Sequence, residues 1–514
     1  MQLEIILSPE QYYDTTQMYA AVARKMGCAP ADLSHVEVLH RSLDARRRPC
    51  FRTTLEVFRQ GEPLPSAPPM PHYVDCHSAP PVVIVGAGPA GLFAALHALE
   101  LGLRPIIVER GFPVEERRLH IAAMSRSGVV NPQSNWCFGE GGAGTYSDGK
   151  LYTRSTKRGN VRDVLLKLVQ HGASHDILID THAHIGTDRL SGIMQNIRHT
   201  VMDHGGSYLF GQRVADLRLT ADGRVCGVQT DNGDCIDGTA VILATGHSAR
   251  DIYELFARRG WLLEAKPFAL GVRVEHPQAL INSIQYHSAH PSPLLPPASY
   301  SLTTQVEGHG VFSFCMCPGG VIVPASTDSG QQVVNGMSDS GRTSPFANSG
   351  IAVTVSPADV PQYADAGALA LLRFQQEVEQ RACQAGGDGL KAPAQRLTDF
   401  CQNVASQKLN RSNYLGSCTA APLHECLPLF VTRCLQAGFR AFDHKMRGFL
   451  TSEASVLAVE SRTSSPVRIP RGDDGQHPQL RGLYPCGEGA GYAGGIVSAA
   501  LDGIRAIDLI AASR

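Results

Sequence analysis

Residues 82–91 read Val82-Val83-Ile84-Val85-Gly86-Ala87-Gly88-Pro89-Ala90-Gly91. Four β-branched apolar residues before a glycine-rich turn predict a short buried strand. Leu92 to Leu101 then has the pattern of a helix, and Arg104 to Val108 that of a second strand that ends at Glu109. A strand, a glycine-rich turn, a helix and a second strand in this order predict a βαβ dinucleotide-binding unit.

The glycines of this turn have different physical tasks. Gly86 permits the tight turn, Gly88 lets the backbone approach a pyrophosphate, and Gly91 lets the helix pack closely on the strand. The helix N-terminus offers unpaired N–H groups and a positive dipole end to phosphates. Glu109 can accept hydrogen bonds from ribose hydroxyls. The predicted cofactor contacts of this unit are Gly86, Gly88, Pro89, Ala90, Gly91, Glu109 and Arg110.

Three further features favour FAD over NAD. The first is a series of short strands over residues 207–246 that ends in Ala244-Thr245-Gly246, an arrangement typical of FAD domains. The second is the glycine-dense loop from Gly139 to Thr145, which can bring backbone N–H groups, including that of Gly142, close to a cofactor. The alternative for this loop is a flexible surface segment.

The third feature is the stretch Tyr484-Pro485-Cys486-Gly487-Glu488-Gly489-Ala490-Gly491-Tyr492-Ala493-Gly494-Gly495-Ile496. Its pattern predicts a strand, a glycine-rich turn and a helix start. Glu488 can bind ribityl hydroxyls, and the helix that begins near Gly495 can direct its positive end at the flavin pyrimidine. The alternative is a second, purely structural strand-to-helix turn.

In this order the motifs resemble the glutathione-reductase-type FAD superfamily and, within it, a bacterial family of uncharacterised FAD-dependent dehydrogenases. Stretches similar to that family include Phe138 to Lys150, Phe314 to Gly320, Val334 to Ser338 and Ser461 to Arg468. The resemblance covers nearly the whole chain. It implies FAD contacts at Gly86, Gly88, Gly91, Glu109, Val214, Thr245, Gly246, Glu488, Gly494, Gly495 and Ile496. Gly487 completes the predicted FAD-binding set.

Composition narrows the functional class further. The chain has 514 residues and a formal net charge of -1, so nothing in its charge favours nucleic-acid binding. The N-terminus lacks the basic and apolar regions of a signal peptide, and no run of eighteen apolar residues predicts a membrane span. Fourteen cysteines without a C-x-x-C pair predict no metal site and favour a reducing, cytoplasmic location.

The predicted fold class is α/β, with a Rossmann-like FAD domain in two sequence pieces, a β-meander, an inserted mixed β-sheet domain and a small N-terminal αβ unit. The expected ranges are 1–70 for the N-terminal unit, 81–261 and 443–514 for the FAD domain, and 262–442 for the inserted domain. Further predictions are the helices Tyr12 to Met26 and Pro361 to Ala385, the linker Pro63 to Pro71, the hairpin turns Asp222-Gly223 and Asn232-Gly233, and a solvated tip at Arg46-Arg47-Arg48.

Candidates for chemistry lie outside the predicted FAD-binding motifs. Cys315 and Cys317 precede a Pro-Gly-Gly turn and are weak candidates for redox or nucleophilic roles, the alternative being two buried packing residues. Arg273 and Glu275 alternate on one strand face, which favours a surface pair over a site for a charged substrate. For Arg462, Arg468 and Arg471, an acid-binding site and a solvated loop stay open alternatives.

The leading functional hypothesis is an oxidoreductase that moves a hydride or electrons through non-covalent FAD, with an unknown small-molecule substrate or electron acceptor. The sequence contains one complete dinucleotide fingerprint, so NAD(P)H would act only as a transient reductant. A FAD-dependent RNA-modifying or nucleic-acid-associated protein is one alternative. A FAD-binding scaffold without turnover is another.

Overall fold

The computed structural model describes residues 1–64, 69–153 and 159–514. The N-terminal unit is a three-stranded antiparallel sheet with the strand order β1-β3-β2 and two helices against it. The linker predicted at Pro63 to Pro71 lies partly outside the described residues. The elements of this unit are β1 (Gln2–Leu7), α1 (Pro9–Tyr13), α2 (Thr15–Met26), β2 (Leu33–Asp44) and β3 (Cys50–Arg59).

The predicted helix from Tyr12 to Met26 is wrong at its start. Two helices meet there at Asp14, whose carboxylate accepts the N–H of Gln17 at 3.0 Å and so caps the second helix. The arginine turn at 46–48 is exposed, as predicted.

A parallel sheet follows, with helices and a separate three-stranded meander, β7-β8-β9, around it. The predicted turns at Gly223 and Gly233 join the meander strands, with φ of 80° and 90°. The elements of this region are β4 (Pro81–Val85), α3 (Pro89–Glu100), β5 (Arg104–Val108), α4 (Val114–Ser127), α5 (Val161–Gln170), α6 (Thr187–Asp203), β6 (Ser207–Leu209), β7 (Val214–Leu219), β8 (Val225–Thr230), β9 (Cys235–Asp237), β10 (Ala240–Leu243) and α7 (Arg250–Arg259).

The next region forms a second, seven-stranded sheet with the order β13-β14-β17-β12-β20-β18-β19. Its elements, with those of the small sheets beside it, are β11 (Glu264–Ala265), β12 (Phe268–Pro277), α8 (Gln278–Gln285), β13 (Thr303–Val306), β14 (His309–Cys317), β15 (Gly320–Pro324), β16 (Val334–Ser338), β17 (Phe346–Val355), α9 (Ala370–Gly386), β18 (Ala392–Arg396), α10 (Leu397–Gln402), β19 (Cys418–Ala420), α11 (Leu423–Cys426), α12 (Leu429–Lys445) and β20 (Ser455–Glu460).

The long helix predicted from Pro361 to Ala385 is wrong in its first third. Residues Pro361–Leu369 form 3-10 turns, interrupted at Gly367 with a φ of 55°, and the α-helix begins only at Ala370. A left-handed residue inside the segment prevents one continuous α-helix.

The chain returns to the parallel sheet through β21 (Val467–Arg468), β22 (Leu483–Pro485) and α13 (Ile496–Ala512). Strand β21 pairs with β11. The segment that leaves the first large sheet and the segment that returns to it therefore run side by side. The predicted boundary at residue 443 is wrong, because β20 pairs with β12 and β18 of the second sheet. The return therefore lies after Glu460.

Strand β22 completes the parallel sheet, whose order is β22-β10-β4-β5-β6. Helix α13 packs against α3, and a Cβ on Gly503 of α13 would collide with the carbonyl oxygen of Ala90 in α3. The C-terminal residues are thus built into the core of the first sheet. Among the described residues, no helix is both long and apolar enough to span a bilayer.

We expect Gly503→Ala to lower the stability of the protein, although alanine is the better helix former. The added methyl meets backbone, and overpacking of this kind costs about 1–3 kcal/mol. Gly192→Ala in α6 is the matched control, because a Cβ there meets nothing within 4 Å and should stabilise the helix by about 1 kcal/mol. Thermal unfolding of the two variants should shift in opposite directions, and a rise in Tm for Gly503→Ala would contradict the close packing.

Candidate functional site

The turn between β4 and α3 gives each fingerprint glycine the task that its position predicts. Gly86 has a φ of 105°, and a Cβ there would lie 2.5 Å from the carbonyl oxygen of Ala244. A Cβ on Gly91 would collide with the carbonyl oxygen of Gly86. At Gly88 a Cβ meets nothing within 4 Å, so this residue faces open space. The space is where a pyrophosphate would approach the backbone.

The glycine-dense loop lies directly over this turn. Gly141 donates its N–H to the carbonyl oxygen of Ala87 at 2.8 Å, and a Cβ on Gly142 would lie 3.1 Å from the Cα of Gly88. Helix α3 begins here with Pro89, and no side chain caps its N-terminus. Uncapped amides beside a side-chain-free loop suit an anionic diphosphate.

Glu109 has a role that the sequence analysis did not anticipate. Its Oε2 accepts the N–H of Ala87 at 2.8 Å, and its Oε1 accepts those of Gly111 at 2.8 Å and Gly139 at 3.0 Å. The buried carboxylate therefore fastens the fingerprint turn to two other loops. A carboxylate has about four acceptor positions, so roughly one stays available for a ribose hydroxyl.

Two further residues predicted to contact the cofactor are Arg110 and Val214. Arg110 is held by Asp251 at 2.7 Å, and its guanidinium lies 4.4 Å from the ring centroid of Phe138. Val214 is buried at the start of the meander. The side chain of Arg110 is therefore held in place by Asp251 and Phe138.

The C-terminal glycine-rich turn is held by Asp502, which sequence reasoning missed. Its Oδ2 accepts the N–H of Gly487 at 2.8 Å, and its Oδ1 accepts from Arg471 at 2.6 Å. Arg471 also lies 4.0 Å from the ring centroid of Tyr492. The open question about Arg471 is settled in favour of a structural ion pair. Asp502 is the seventh residue of α13, and no sequence motif marks an acid at this position as a partner of the preceding glycine-rich turn.

Helix α13 begins beside helix α3. Gly495 is its N-cap, and a Cβ on Gly495 or Gly494 would meet only the side chain of Ser498 or Glu488, respectively. A Cβ on Gly144 would lie 3.2 Å from Pro89 and 3.7 Å from Ile496. Residues 142–144 therefore bridge the starts of both helices, whose positive ends face one region.

His247 is a second residue that the sequence analysis missed. Its Nδ1 lies 3.4 Å from Oε1 of Glu488. His247 follows Thr245 and Gly246, and Glu488 lies within the C-terminal glycine-rich turn. Within the described residues, the buried Nε2 of His247 has no hydrogen-bond partner. A buried polar atom without a partner indicates a place for a polar ligand group.

The predicted surface pair of Arg273 and Glu275 is wrong. Both side chains are buried, and Nε of Arg273 donates to Oε2 of Glu460 at 2.8 Å. Burial acts to lower the pKa of Arg273, but attraction to Glu460 outweighs it and raises the pKa. Glu275 instead accepts the N–H of Asn413 at 3.1 Å, and burial raises its pKa to about 7. Arg273 is fully buried, so its guanidinium is not accessible to a free substrate anion.

Arg462 is also buried. Its Nε lies 3.3 Å from Oε1 of Glu379. Nη2 of Arg250 lies 2.8 Å from the same oxygen. This triad connects helix α7 beside the first sheet with helix α9 beside the second. Arg468 is half-buried and lies 3.5 Å from Glu264 across the β21–β11 pair. Neither arginine is in a solvated loop of the kind considered from the sequence.

The two cysteines lie where β14 departs from regular pairing with β17. Cys315 has a φ of 42° and is exposed, whereas Cys317 is buried with its Sγ 4.0 Å from Nζ of Lys150. Burial of the sulfur raises the pKa of the Cys315 thiol to about 12, and it also raises the pKa of the Cys317 thiol. The positive charge of Lys150 opposes both increases only in part. Both thiols are therefore protonated near neutral pH, which does not favour a thiolate nucleophile.

Gly88→Val should produce a folded protein that has lost FAD. The backbone at this residue is extended, with φ of -78° and ψ of -180°, and accepts a β-branched side chain. The side chain would occupy the phosphate space, and a steric cost of about 1–3 kcal/mol lowers affinity roughly tenfold to a hundredfold. Flavin absorbance per protein measures the effect. Gly192→Ala should keep full flavin, and a fully yellow Gly88→Val protein would place the phosphates elsewhere.

Cys315 should react slowly with iodoacetamide at neutral pH despite its exposure, because the thiolate is the reactive species. Cys235, exposed on β9, is the internal standard. Peptide mass spectrometry should show Cys315 modified later than Cys235 in both the FAD-loaded protein and the FAD-free Gly88→Val variant. Faster modification of Cys315 would restore the nucleophile hypothesis.

Three families match successive parts of the chain. Residues 1–58 match a domain of unknown function, residues 81–136 a FAD binding domain, and residues 267–463 the family described as FAD-dependent protein, C-terminal domain-like. The second match covers the fingerprint turn and Glu109. The cofactor of this protein is FAD.

Several solved structures show only a remote likeness. A geranylgeranyl bacteriochlorophyll reductase-like protein from Thermoplasma acidophilum is 13% identical, with a TM-score of 0.35, over 85% of this chain and 78% of its own. The flavin-dependent brominase Bmp2 is 14% identical, with a TM-score of 0.37, over 85% of this chain and 80% of its own. Scores at this level carry no argument about the reaction.

One relative matches at much higher similarity over nearly the full length. An uncharacterised protein of Clostridium beijerinckii is 38% identical over 524 aligned residues, which cover 97% of this chain and 96% of the relative. The alignment spans the N-terminal unit, both large sheets and the C-terminal helix. The chain therefore belongs to the same family as this uncharacterised clostridial protein.

Proposed function

We propose that this protein is an oxidoreductase that uses non-covalently bound FAD to move a hydride or electrons between small molecules. The observation that carries the proposal is the convergence of α3 and α13 on residues 142–144. Bound FAD supplies hydride and electron transfer, and the protein supplies binding, orientation and electrostatics.

The chain's own groups fit the two ends of the cofactor. The start of α3 and the open backbone at Gly88 suit the diphosphate. The start of α13, uncapped by any side chain other than that of Ser498, suits the pyrimidine edge, because its positive end stabilises negative charge there. Glu488, partly exposed beside His247, is placed to accept hydrogen bonds from ribityl hydroxyls.

The second sheet carries a cluster of buried polar groups beside Cys315. Oε1 of Glu460 and Nδ2 of Asn348 are buried and, in the part of the chain that the structure describes, have no hydrogen-bond partner. Both residues contact Arg273, which also donates to the carbonyl oxygen of Cys315 at 3.4 Å. The polar cluster next to Cys315 is therefore buried and held in place by an ion pair.

A reduced nicotinamide is proposed to bind only transiently. The second sheet is mostly antiparallel, so the βαβ arrangement that houses a resident NAD is not repeated there within the described residues. All fourteen cysteines are free, which supports a reducing compartment such as the cytoplasm.

Anaerobic mixing of the FAD-loaded protein with NADH or NADPH tests the proposal. We expect one of the two to bleach the oxidised flavin band, with reoxidation on addition of an acceptor from a fractionated metabolite extract. Dithionite reduction measures the total reducible flavin, and Gly88→Val provides the FAD-free control. If no nicotinamide, dithiol or extract fraction changes the redox state of a flavin that dithionite does reduce, the scaffold alternative replaces the proposal.

A further inference from the structure

A cluster of charged residues lies where the glycine-dense loop meets the second sheet. Asp148 is only 3% exposed, and its Oδ2 is shared by Nζ of Lys150 at 3.1 Å and Nη2 of Arg342 at 3.3 Å. Its Oδ1 accepts the hydroxyl of Ser338 at the end of β16. One carboxylate thus joins two cations from opposite sides of the junction.

The cluster has more positive than negative charge. Burial would raise the pKa of Asp148, but Lys150 and Arg342 lower it overall, so the carboxylate is ionised. Burial would lower the pKa of Lys150, but its surroundings, Asp148 among them, raise it overall, so the ammonium is also charged. Two cations and one anion leave a net charge of about +1.

The other titratable groups facing the cluster do not cancel this charge. Burial lowers the pKa of His184, which is therefore neutral near pH 7, and its buried Nε2 has no hydrogen-bond partner among the described residues. The thiols of Cys315 and Cys317 are protonated because burial raises their pKa values. The excess charge is available to a ligand.

The geometry also leaves donors available in an accessible place. The side chain of Lys150 is 38% exposed, and Cys315 beside it is exposed although protein surrounds it closely enough to raise its pKa. Both residues are therefore accessible where the glycine-dense loop meets the second sheet. Nε of Arg342 is buried and has no acceptor within the described residues. Arg342 and Cys315 have φ values of 53° and 42°, a strained backbone that is concentrated at functional sites.

We propose that Lys150 and Arg342 bind a carboxylate group of the substrate, so that the substrate is an organic acid. This inference rests on the proposed function and names its substrate class. A carboxylate is favoured over a phosphate because one negative charge balances the cluster, whereas a phosphate dianion would exceed it. Lysine and arginine N–H groups are the strong donors for such an anion.

Titration of the FAD-loaded protein with acetate and succinate, at constant ionic strength, tests the site without turnover. Lys150 follows the loop whose residues 142–144 contact the starts of α3 and α13, so we expect a saturable change in the flavin absorbance spectrum. Lys150→Met and Arg342→Met should weaken binding about tenfold to a hundredfold, the loss of one charged hydrogen bond. Arg342→Lys should recover part of the affinity, and Lys408→Met, an exposed lysine between α10 and β19, should bind like the wild type.

Three results would overturn the inference. They are the absence of a saturable change with either acid, unchanged binding by Lys150→Met, and tighter binding of inorganic phosphate than of both acids. Lys150→Met decides the matter if Arg342→Met does not fold, because the lysine side chain is partly exposed. Carboxylate binding without flavin reduction by any donor would refute the oxidoreductase proposal alone, and reduction without carboxylate binding would refute this inference alone.

Discussion

The rest of the site depends on the close approach of helices α3 and α13. Gly503 in α13 lies against the carbonyl oxygen of Ala90, and Gly91 in α3 lies against that of Gly86. Neither contact leaves room for a Cβ, so the two helices and strand β4 are fixed at the shortest separation that backbone allows. This packing brings two helix N-termini, more than four hundred residues apart in sequence, to the same three-residue loop, 142–144.

Buried ion pairs hold the second sheet together and connect it with the first. Glu379 holds Arg250 and Arg462 between helices α7 and α9, and Arg273 is paired with Glu460 between β12 and β20. Removing one member of such a buried pair leaves an uncompensated charge, which is more costly than losing an exposed pair. These pairs stabilise the second sheet, whereas the glycine contacts set the packing around the fingerprint turn.

Several features were predictable because they depend on local constraints. The fingerprint turn, the meander hairpins at Gly223 and Gly233, and the start of α13 all follow from residues that tolerate unusual backbone angles or permit close approach. Helix limits were less certain, since the break at Gly367 and the cap at Asp14 interrupt segments whose apolar spacing is continuous.

The sequence by itself determined the cofactor-binding turns and the FAD assignment, because glycine spacing and strand–helix order act over a few residues. Only the tertiary structure decided which charges meet. It paired Arg273 with Glu460 instead of Glu275, assigned strand β20 to the second sheet, and placed Lys150 and Arg342 on one carboxylate. The physical reason is that electrostatic partners and strand neighbours are chosen by distance in space, and residues 148 and 342 become neighbours only after both sheets have formed.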